Sequence, residues 1–202
     1  MGFTLTITRP SVRHERAALD KTATLKKMKR IAIDMDEVVA DTMARYLELY
    51  NADFGLQFTR EHFHGRRVFE VIDAAHIPKA RAYFEQESFF AEIPVMPGSQ
   101  EVVRALNEQY EIFITTAAMD VPCSFSAKYQ WLQRHFPFVP VRHIVFCGDK
   151  SIISADYLID DDPRHFRKFQ GEGILYTAPH NVYETLFRRV DNWDDVRAMF
   201  LD

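Results

Sequence analysis

Short apolar runs that end in polar residues alternate along this chain with segments of helical periodicity. The first run, residues 31–33, is rich in β-branched residues and stops at Asp34 and Asp36, which is typical of a buried parallel strand. Similar runs predict four more strands, at residues 110–116, 143–146, 156–159 and 173–176. Because strands that alternate with helices favour a parallel sheet covered on both faces, the pattern predicts a doubly wound α/β fold.

Helical periodicity predicts the elements between these strands. Apolar residues recur at helical spacing over residues 40–52, so we expect an amphipathic helix directly after the first strand. Ser99 is a predicted N-cap for the helix before the second strand, since serine side chains satisfy free N–H groups there. Two further helices are predicted at residues 126–136 and 194–200.

Residues 56–92 interrupt the alternation and show no strand pattern. They are rich in aromatic residues: Phe58, Phe63, Phe69, Tyr83, Phe84, Phe89 and Phe90. Pro78 predicts a helix over residues 78–87, because proline is favoured in the first turn of a helix. We therefore expect a helical cap at residues 42–92, inserted into a core domain of residues 28–41 and 93–202.

Composition fits a folded domain and disfavours several classes of protein. The 202 residues are 47% hydrophobic and 27% charged, as in ordinary globular proteins. No apolar run approaches the length needed to span a bilayer, so we expect no membrane partner. Cys123 and Cys147 are too few for a disulfide scaffold and favour a cytoplasmic location.

The charge is unevenly spread along the chain. Residues 1–30 contain eight Lys or Arg against two acidic residues, whereas the remainder contains 17 basic and 27 acidic residues. Because nucleic-acid-binding domains present a basic face, this acidic body predicts no nucleic-acid partner. The basic leader at residues 1–27 lacks the apolar stretch of a secretory signal and is expected to pack poorly. A start at Met28 is the plainer alternative.

Two aspartates follow the first predicted strand. Asp34 and Asp36 are two residues apart, so on an extended chain they face the same way. Like charges this close repel each other unless a cation lies between them or one carboxylate holds a proton. Both arrangements suit metal-dependent phosphoryl transfer, with one Asp as nucleophile and the other as acid/base. Taken alone, the pair is equally typical of turn or N-cap aspartates.

Three other predicted strands lead to polar residues that a phosphate site would use. The second strand ends in Thr116, the third is followed by Lys150, and the fourth by Asp160 and Asp161. Singly, these are typical of a strand-end hydroxyl, a solvated lysine and an exposed turn. Because the carboxyl ends of parallel strands share one edge, their combination predicts a phosphate site there.

The acidic residues favour magnesium over zinc as the metal. His62 and His64 suggest a zinc site, but no third ligand lies at a convincing spacing. Hard carboxylate oxygens are the ligands that Mg²⁺ prefers. We therefore expect Mg²⁺ as the cofactor.

Four groups of residues follow one another in the order of a known family. They are Asp34-Met35-Asp36-x-Val38-x-Ala40-Asp41, Phe89-Phe90 with Pro94-x-x-Pro97-Gly98, Lys128-Tyr129-x-Trp131, and Asp149-Lys150 with Ala155-Asp156-x-Leu158-Ile159-Asp160-Asp161. In these groups the chain resembles phosphatases of the haloacid dehalogenase (HAD) superfamily and, within it, the 5'(3')-deoxyribonucleotidase family. The resemblance implies the doubly wound fold, with a small helical cap inserted after the first strand.

The resemblance also implies an activity and catalytic roles. The expected reaction is hydrolysis of nucleoside 5'(3')-monophosphates, a small-molecule substrate, through an aspartyl-phosphate intermediate. Asp34 would be the nucleophile and Asp36 the general acid and base. Thr116 and Lys150 would bind the phosphoryl oxygens of the substrate.

The same resemblance implies a magnesium site and a substrate pocket. Mg²⁺ would be held by the Asp34 carboxylate, the Asp36 backbone carbonyl and Asp161, with Asp160 as an outer or water-mediated ligand. Lys128 would anchor the phosphate side of the site or Asp161.

Three positions depart from the pattern of the animal enzymes. Glu37 stands where those enzymes carry Gly, Ala117 follows the motif-two Thr in place of Ser, and Thr42 replaces a Phe beside the nucleobase. The first two should leave phosphate chemistry intact, and the third affects the expected base preference. Thr42 and Ala117 are still expected to line the substrate site.

Two other functions stay open on the sequence. A related phosphatase for a sugar phosphate or another small phosphomonoester would use the same machinery. A non-catalytic phospholigand-binding regulator is a further alternative, although retention of Asp36 disfavours it because binding needs no acid/base residue. A homodimer is compatible with the sequence.

We predict that deleting residues 1–27, so that the chain starts at Met28, leaves thermal stability and activity nearly unchanged. The reason is that this leader is weakly patterned and precedes the first predicted strand. Thermal denaturation and phosphatase assays of the two chains side by side would check this. A marked fall in melting temperature would show that the leader packs against the core.

Overall fold

The computed structural model describes residues 28–202, so the predicted basic leader lies outside the described residues. Within them, parallel strands form one sheet in the order β3-β2-β1-β4-β5-β6. The strands are β1 (Arg30–Asp34), β2 (Glu111–Thr116), β3 (Ile144–Phe146), β4 (Tyr157–Asp160), β5 (Glu172–Tyr176) and β6 (Arg188–Val190). The predicted doubly wound α/β fold and its five predicted strands are confirmed.

Strand β6 was not predicted from the sequence. It is only three residues long, two of them arginines, so it lacks an apolar run. It pairs with β5 at the edge of the sheet, where Val190 is buried. Its strand conformation therefore comes from pairing with β5 and not from its own composition.

The described residues also form six α-helices and several short 3₁₀ turns, with five of the helices between strands and the sixth after the last strand. The helices are α1 (Thr42–Phe54), α2 (Ile77–Tyr83), α3 (Glu87–Ala91), α4 (Ser99–Leu106), α5 (Phe125–His135) and α6 (Trp193–Phe200). Helix α1 begins at Thr42 because the Asp41 side chain accepts a hydrogen bond from the Ala44 N–H, at 2.8 Å.

Two predicted helix details were wrong. Helix α2 ends at Tyr83 and a separate helix starts at Glu87, so the predicted continuous helix over residues 78–87 does not form. The N-cap of α4 is Gly98, in the left-handed conformation with φ 79°, and Ser99 is the first helical residue. Glycine adopts this conformation at little cost, which explains why the chain turns at Gly98.

Residues 42–92 form helices and turns without a strand, and their aromatic residues pack together. The Tyr46 ring stacks on Tyr50, with ring centroids 5.5 Å apart, and Phe63 meets Tyr46 edge-on at 6.4 Å. Phe63 and Phe89 are fully buried. The aromatic set thus forms a core within the helical segment, while the exact domain boundaries stay a prediction.

The helical cap is joined to the core by two adjacent backbone segments. The Asp41 N–H donates to the Pro94 carbonyl at 2.8 Å, and the Met96 N–H donates to Val39 at 2.9 Å. Ala40 and Val95 form an antiparallel bridge between them. This pairing places the cap above the carboxyl end of β1. Among the described residues, no helix combines the length and apolar character needed to cross a membrane.

Candidate active site

Three adjacent strands bring the predicted site residues to one edge of the sheet. Strand β1 lies between β2 and β4, and Asp34 is in register with Thr115, one residue before Thr116. Asp160 ends β4 on the other side of β1. Asp34, Thr116 and Asp160 are all buried. The order of the strands therefore explains why residues distant in sequence meet here.

Lys150 lies between two of these carboxylates. Its Nζ donates to Asp34 Oδ1 at 2.5 Å and to Asp160 Oδ2 at 2.6 Å, and its side chain is only 1% exposed. Burial alone would lower the pKa of Lys150, but Asp160 and Asp34 raise it above its usual value. The lysine is therefore charged, and it fixes the position of the Asp34 carboxylate.

Lys128 plays a similar part for Asp36. Its Nζ donates to Asp36 Oδ2 at 2.5 Å and to Thr116 Oγ1 at 3.2 Å, while Thr42 Oγ1 donates to Asp36 Oδ1 at 3.1 Å. Burial acts to raise the pKa of Asp36, but the Lys128 ammonium outweighs it and lowers that pKa. Of the two partners expected for Lys128, the phosphate side and Asp161, the geometry favours the first.

The surroundings of Asp34 and Asp161 raise the pKa of each carboxyl group, in contrast to those of Asp36. Burial raises the pKa of Asp34 to about 7, and the charges of Asp160 and Asp36 add to the rise while Lys150 opposes it. Burial, with the charges of Asp160 and Asp34, raises the pKa of Asp161 well above its usual value. The positive charge of the described side chains is therefore too small to offset the burial and mutual repulsion of these two carboxylates.

The acidic cluster fits a hard divalent cation. Carboxylate oxygens of Asp34, Asp160 and Asp161 lie within 4.8 Å of one another. Asp160 already accepts hydrogen bonds on both oxygens, from Lys150 and from the Asp162 N–H at 2.9 Å, so Asp34 and Asp161 have the greater capacity for a metal. A set of carboxylate oxygens suits Mg²⁺, whose charge would offset their mutual repulsion.

The residues that fix the loop after β4 were not predicted from the sequence. Buried Asn181 donates through Nδ2 to the carbonyl oxygens of Asp161, at 2.7 Å, and Tyr176, at 2.8 Å. His180 Nε2 lies 3.7 Å from Asp161 Oδ2. Both residues follow β5, so their position after a strand end was the one signal in the sequence that could have identified them.

A cleft of about 230 Å³ opens above the carboxylates. Its lining includes predicted Thr42, Ala117 and Lys128, together with Phe84 and Phe90 of the cap. Phe84 and Phe90 are therefore the aromatic residues of the cap that line this cleft. The structure thus brings every predicted site residue to one region, while the role of each stays a prediction.

A side cavity of about 160 Å³ adjoins the cleft, between the cap and the loops after β1 and β4. It shares Asp36, Asp161, Thr42 and Phe84 with the cleft and adds apolar side chains of the cap, namely Met43, Tyr46 and Val68. This apolar wall suits the flat face of a ring more than it suits a phosphate group.

Two arginines at the mouth of the cleft were also not predicted. Arg67 of the cap and Arg164 of the core both contact Asp162, with Nη2 and Nε at 2.8 and 3.1 Å from Asp162 Oδ2. Both arginines line the cleft. Neither has a local sequence pattern that separates it from an ordinary surface arginine.

A doubly wound parallel sheet with buried carboxylates and a lysine at one edge, beneath a helical segment, is the arrangement that the resemblance to HAD phosphatases implied. The chain belongs to the family described as 5' nucleotidase, deoxy (pyrimidine), cytosolic type C, whose sequence model matches residues 27–202. It is accordingly a phosphomonoester hydrolase of the deoxyribonucleotidase family, which confirms the resemblance found in the sequence.

Relatives agree with this family. A Bacillus subtilis protein named 5'(3')-deoxyribonucleotidase is 35% identical over 173 residues, which cover 86% of this chain and 99% of that protein. A Staphylococcus epidermidis protein, for which the same name is provisional, is 48% identical over 171 residues, covering 85% of this chain and 95% of the relative.

Solved structures show the same fold at low sequence identity. A HAD-like hydrolase from Streptococcus pneumoniae matches with a TM-score of 0.55 and 13% identity, covering 86% of this chain and 98% of that one. A magnesium-bound protein from Bacillus subtilis, described as a HAD hydrolase, also matches with a TM-score of 0.55 and 13% identity. The match covers 87% of this chain and 99% of the Bacillus subtilis chain.

We predict that Asp161→Asn abolishes stabilisation by magnesium without destabilising the metal-free protein. The substitution removes an expected metal ligand and also a buried carboxylate that Asp160 and Asp34 repel. Magnesium at about 100 times its Kd should stabilise the unchanged protein by about 2.7 kcal/mol. Thermal denaturation with and without MgCl₂ measures this difference.

Asp194→Asn is the matched control, since it removes an exposed carboxylate in α6. It should keep the full magnesium shift. An equal magnesium shift in Asp161→Asn and in the control would contradict the assignment of Asp161 as a ligand.

Proposed function

We propose that the protein hydrolyses deoxyribonucleoside or ribonucleoside 5'(3')-monophosphates to nucleoside and phosphate, with Mg²⁺ and through an aspartyl-phosphate on Asp34. The observation that carries the proposal is the opposite treatment of two neighbouring carboxylates. Asp34 is held by Lys150 beside the acidic cluster, whereas Asp36 is held by Lys128 on the cleft side. One carboxylate can thus act as nucleophile and the other as acid and base.

In the first step, an oxygen of Asp34 attacks phosphorus. Lys150 occupies Oδ1, so the proposal assigns the attack to Oδ2. A bond forms between that oxygen and phosphorus while the bond from phosphorus to the sugar oxygen breaks. Mg²⁺ supplies neutralising charge for the phosphate and the carboxylates when it is bound. Thr116 and Lys150 would stabilise the charge on the phosphoryl oxygens.

Asp36 gives its proton to the leaving sugar oxygen and then takes one from the water that hydrolyses the intermediate. In the substrate-free site, Lys128 favours the charged form of Asp36. A phosphate dianion near Lys128 would share that ammonium, so the pKa of Asp36 would rise as substrate binds. Lys128 would therefore couple phosphate binding to protonation of the acid.

The nucleoside would extend away from the carboxylates toward the cap. Phe84 and Phe90 line the cleft, and the adjoining side cavity is mostly apolar. An aromatic lining can stack on a base and cover the sugar. Thr42 contacts both cavities and also Asp36, so it touches the acid as well as the expected base position.

The proposed location is the cytoplasm, where nucleoside monophosphates are metabolised. Cys123 and Cys147 are both free thiols in the structure, which agrees with a reducing compartment.

A panel of phosphomonoesters, assayed with and without magnesium, tests this function. We expect release of phosphate from deoxyuridine and thymidine monophosphates, loss of activity on chelation, and lower kcat/KM for sugar phosphates because they cannot fill the apolar cavity. Both 5' and 3' monophosphates belong in the panel. A preference for a sugar phosphate would replace the nucleotidase proposal with the related phosphatase.

We predict that Asp36→Asn lowers kcat by roughly two to four orders of magnitude while magnesium affinity changes little. The backbone carbonyl proposed as the metal ligand is retained, whereas the proton donor is lost. Steady-state kinetics and the magnesium-induced shift in Tm measure the two effects. A large loss of magnesium binding, with the rate preserved, would show that the acid has been misassigned.

A further inference from the structure

The loop between β1 and the cap contains an unusual backbone conformation. Among the non-glycine residues from 28 to 202, Glu37 alone has a positive φ, at 57°. Residues with a side chain seldom adopt this region unless their surroundings hold them there. Glu37 directly follows Asp36, so whatever holds it also shapes the loop that carries the proposed acid.

The carboxylate of Glu37 makes the contacts that hold this loop. Its Oε1 accepts from the Met43 N–H at 2.5 Å, in the first turn of α1, and its Oε2 accepts from Arg60 Nη1 at 3.1 Å. The side chain is only 11% exposed. A buried carboxylate with both oxygens bonded is well defined in position.

Arg60 extends this contact to the hinge of the cap. A second nitrogen of the same guanidinium donates to Asp41, whose carboxylate also caps α1 through the Ala44 N–H. Arg60 opens the 3₁₀ turn Arg60–Phe63 within the cap. One guanidinium thus joins the catalytic loop, the start of α1 and a later part of the cap.

The same contacts border the side cavity. Glu37, Met43 and Tyr46 all line it, and buried Phe63, at the end of the Arg60 turn, packs edge-on against the Tyr46 ring. Neither Glu37 nor Arg60 makes a hydrogen bond to the Asp34, Lys150 or Asp160 side chains. Asp36 and Asp161 also line the cavity, so the wall that these contacts fix is the one formed by Met43 and Tyr46 of the cap.

We propose that Glu37 and Arg60 are positioning residues that hold the cap at a fixed distance from the catalytic loop, so that the nucleoside is bound in a preformed cavity. The inference rests on the proposed nucleotidase function and names residues that would set its specificity. A fixed cap lowers the ordering cost of binding a nucleoside, so its loss should raise KM for nucleotides. A small aryl phosphate lacks the nucleoside that would contact Met43 and Tyr46, so its hydrolysis should change little.

The test compares Arg60→Met, Arg60→Lys, Glu37→Gln and the double variant Arg60→Met/Glu37→Gln. Arg45→Met is the matched control, because Arg45 is a cap arginine that also bridges two carboxylates, Glu48 and Glu92, but lines neither cavity. KM and kcat are measured for the best nucleotide of the panel and for p-nitrophenyl phosphate.

Arg60→Met should raise KM for the nucleotide by roughly tenfold, a free-energy change of about 1.4 kcal/mol, with little change in kcat or in aryl phosphate hydrolysis. Arg60→Lys should give a KM for the nucleotide between that of the unchanged protein and that of Arg60→Met. Glu37→Gln retains the acceptor for the Met43 N–H but loses the ion pair, and should resemble Arg60→Met. Because Arg60→Met already removes the Arg60–Glu37 ion pair, the double variant should raise KM no further than Arg60→Met alone.

Hydrogen exchange gives a second readout that does not depend on substrate. The Met43 amide should exchange faster in Arg60→Met than in Arg45→Met, because the Glu37 acceptor becomes less fixed. If Arg60→Met does not fold, the double variant, which leaves Glu37 uncharged, is measured in its place.

Equal losses for nucleotide and aryl phosphate, additive effects in the double variant, or unchanged exchange at Met43 would each overturn the proposal. A magnesium requirement that changes with Arg60→Met would also overturn it, since Arg60 would then act on the metal site. Failure of the proposed function is distinguishable, because the unchanged protein would then show no preference for nucleotides in the panel.

Discussion

The site depends on one buried ammonium group. The end of the sheet collects Asp34, Asp160 and Asp161 within a few ångströms, and burial makes their charges costly. Lys150 lies between Asp34 and Asp160 and donates a hydrogen bond to each. Among the described side chains, it is the lysine that contacts this acidic cluster directly. Within residues 28–202, Asp161 forms no ion pair with a lysine or arginine, and His180 Nε2 lies 3.7 Å from its Oδ2. The protein thus compensates the cluster only in part, which is the condition that favours uptake of a cation.

A second lysine separates the two aspartates of the first strand end. Asp34 and Asp36 are adjacent in space and identical in chemistry, but Lys150 contacts one and Lys128 the other. Burial keeps the pKa of Asp34 raised, whereas Lys128 lowers the pKa of Asp36. The proposed roles need the reverse order, with Asp34 ionised and Asp36 protonated. A bound cation would favour ionised Asp34, and a phosphate dianion that shares Lys128 would favour protonated Asp36.

Much of this arrangement was predictable because strand ends in a parallel sheet meet at one edge. Asp34, Thr116, Lys150 and Asp160 were found from that rule together with the apolar runs before them. Strand β6 was not predicted because its pairing with β5, and not its composition, makes it a strand. Asn181 and His180 were not predicted for a related reason, because each reaches Asp161 from a turn whose position is set by tertiary packing. The same holds for the contact of Arg60 with Glu37. The N-cap of α4 is Gly98 and not the predicted Ser99, because the backbone there adopts the left-handed conformation that favours glycine.

The bridge between Ala40 and Val95 has a consequence for how such proteins diversify. The chain leaves the core at one of these residues and returns at the other, and hydrogen bonds on both sides keep the two ends together. Whatever lies between them can vary in length and sequence while the core retains the same boundary. Exchange of the whole insert would keep the core backbone but would also exchange Thr42 and Arg60, which contact Asp36 and Glu37 of the core. New substrate recognition can therefore accumulate in the insert most freely where these two contacts are kept.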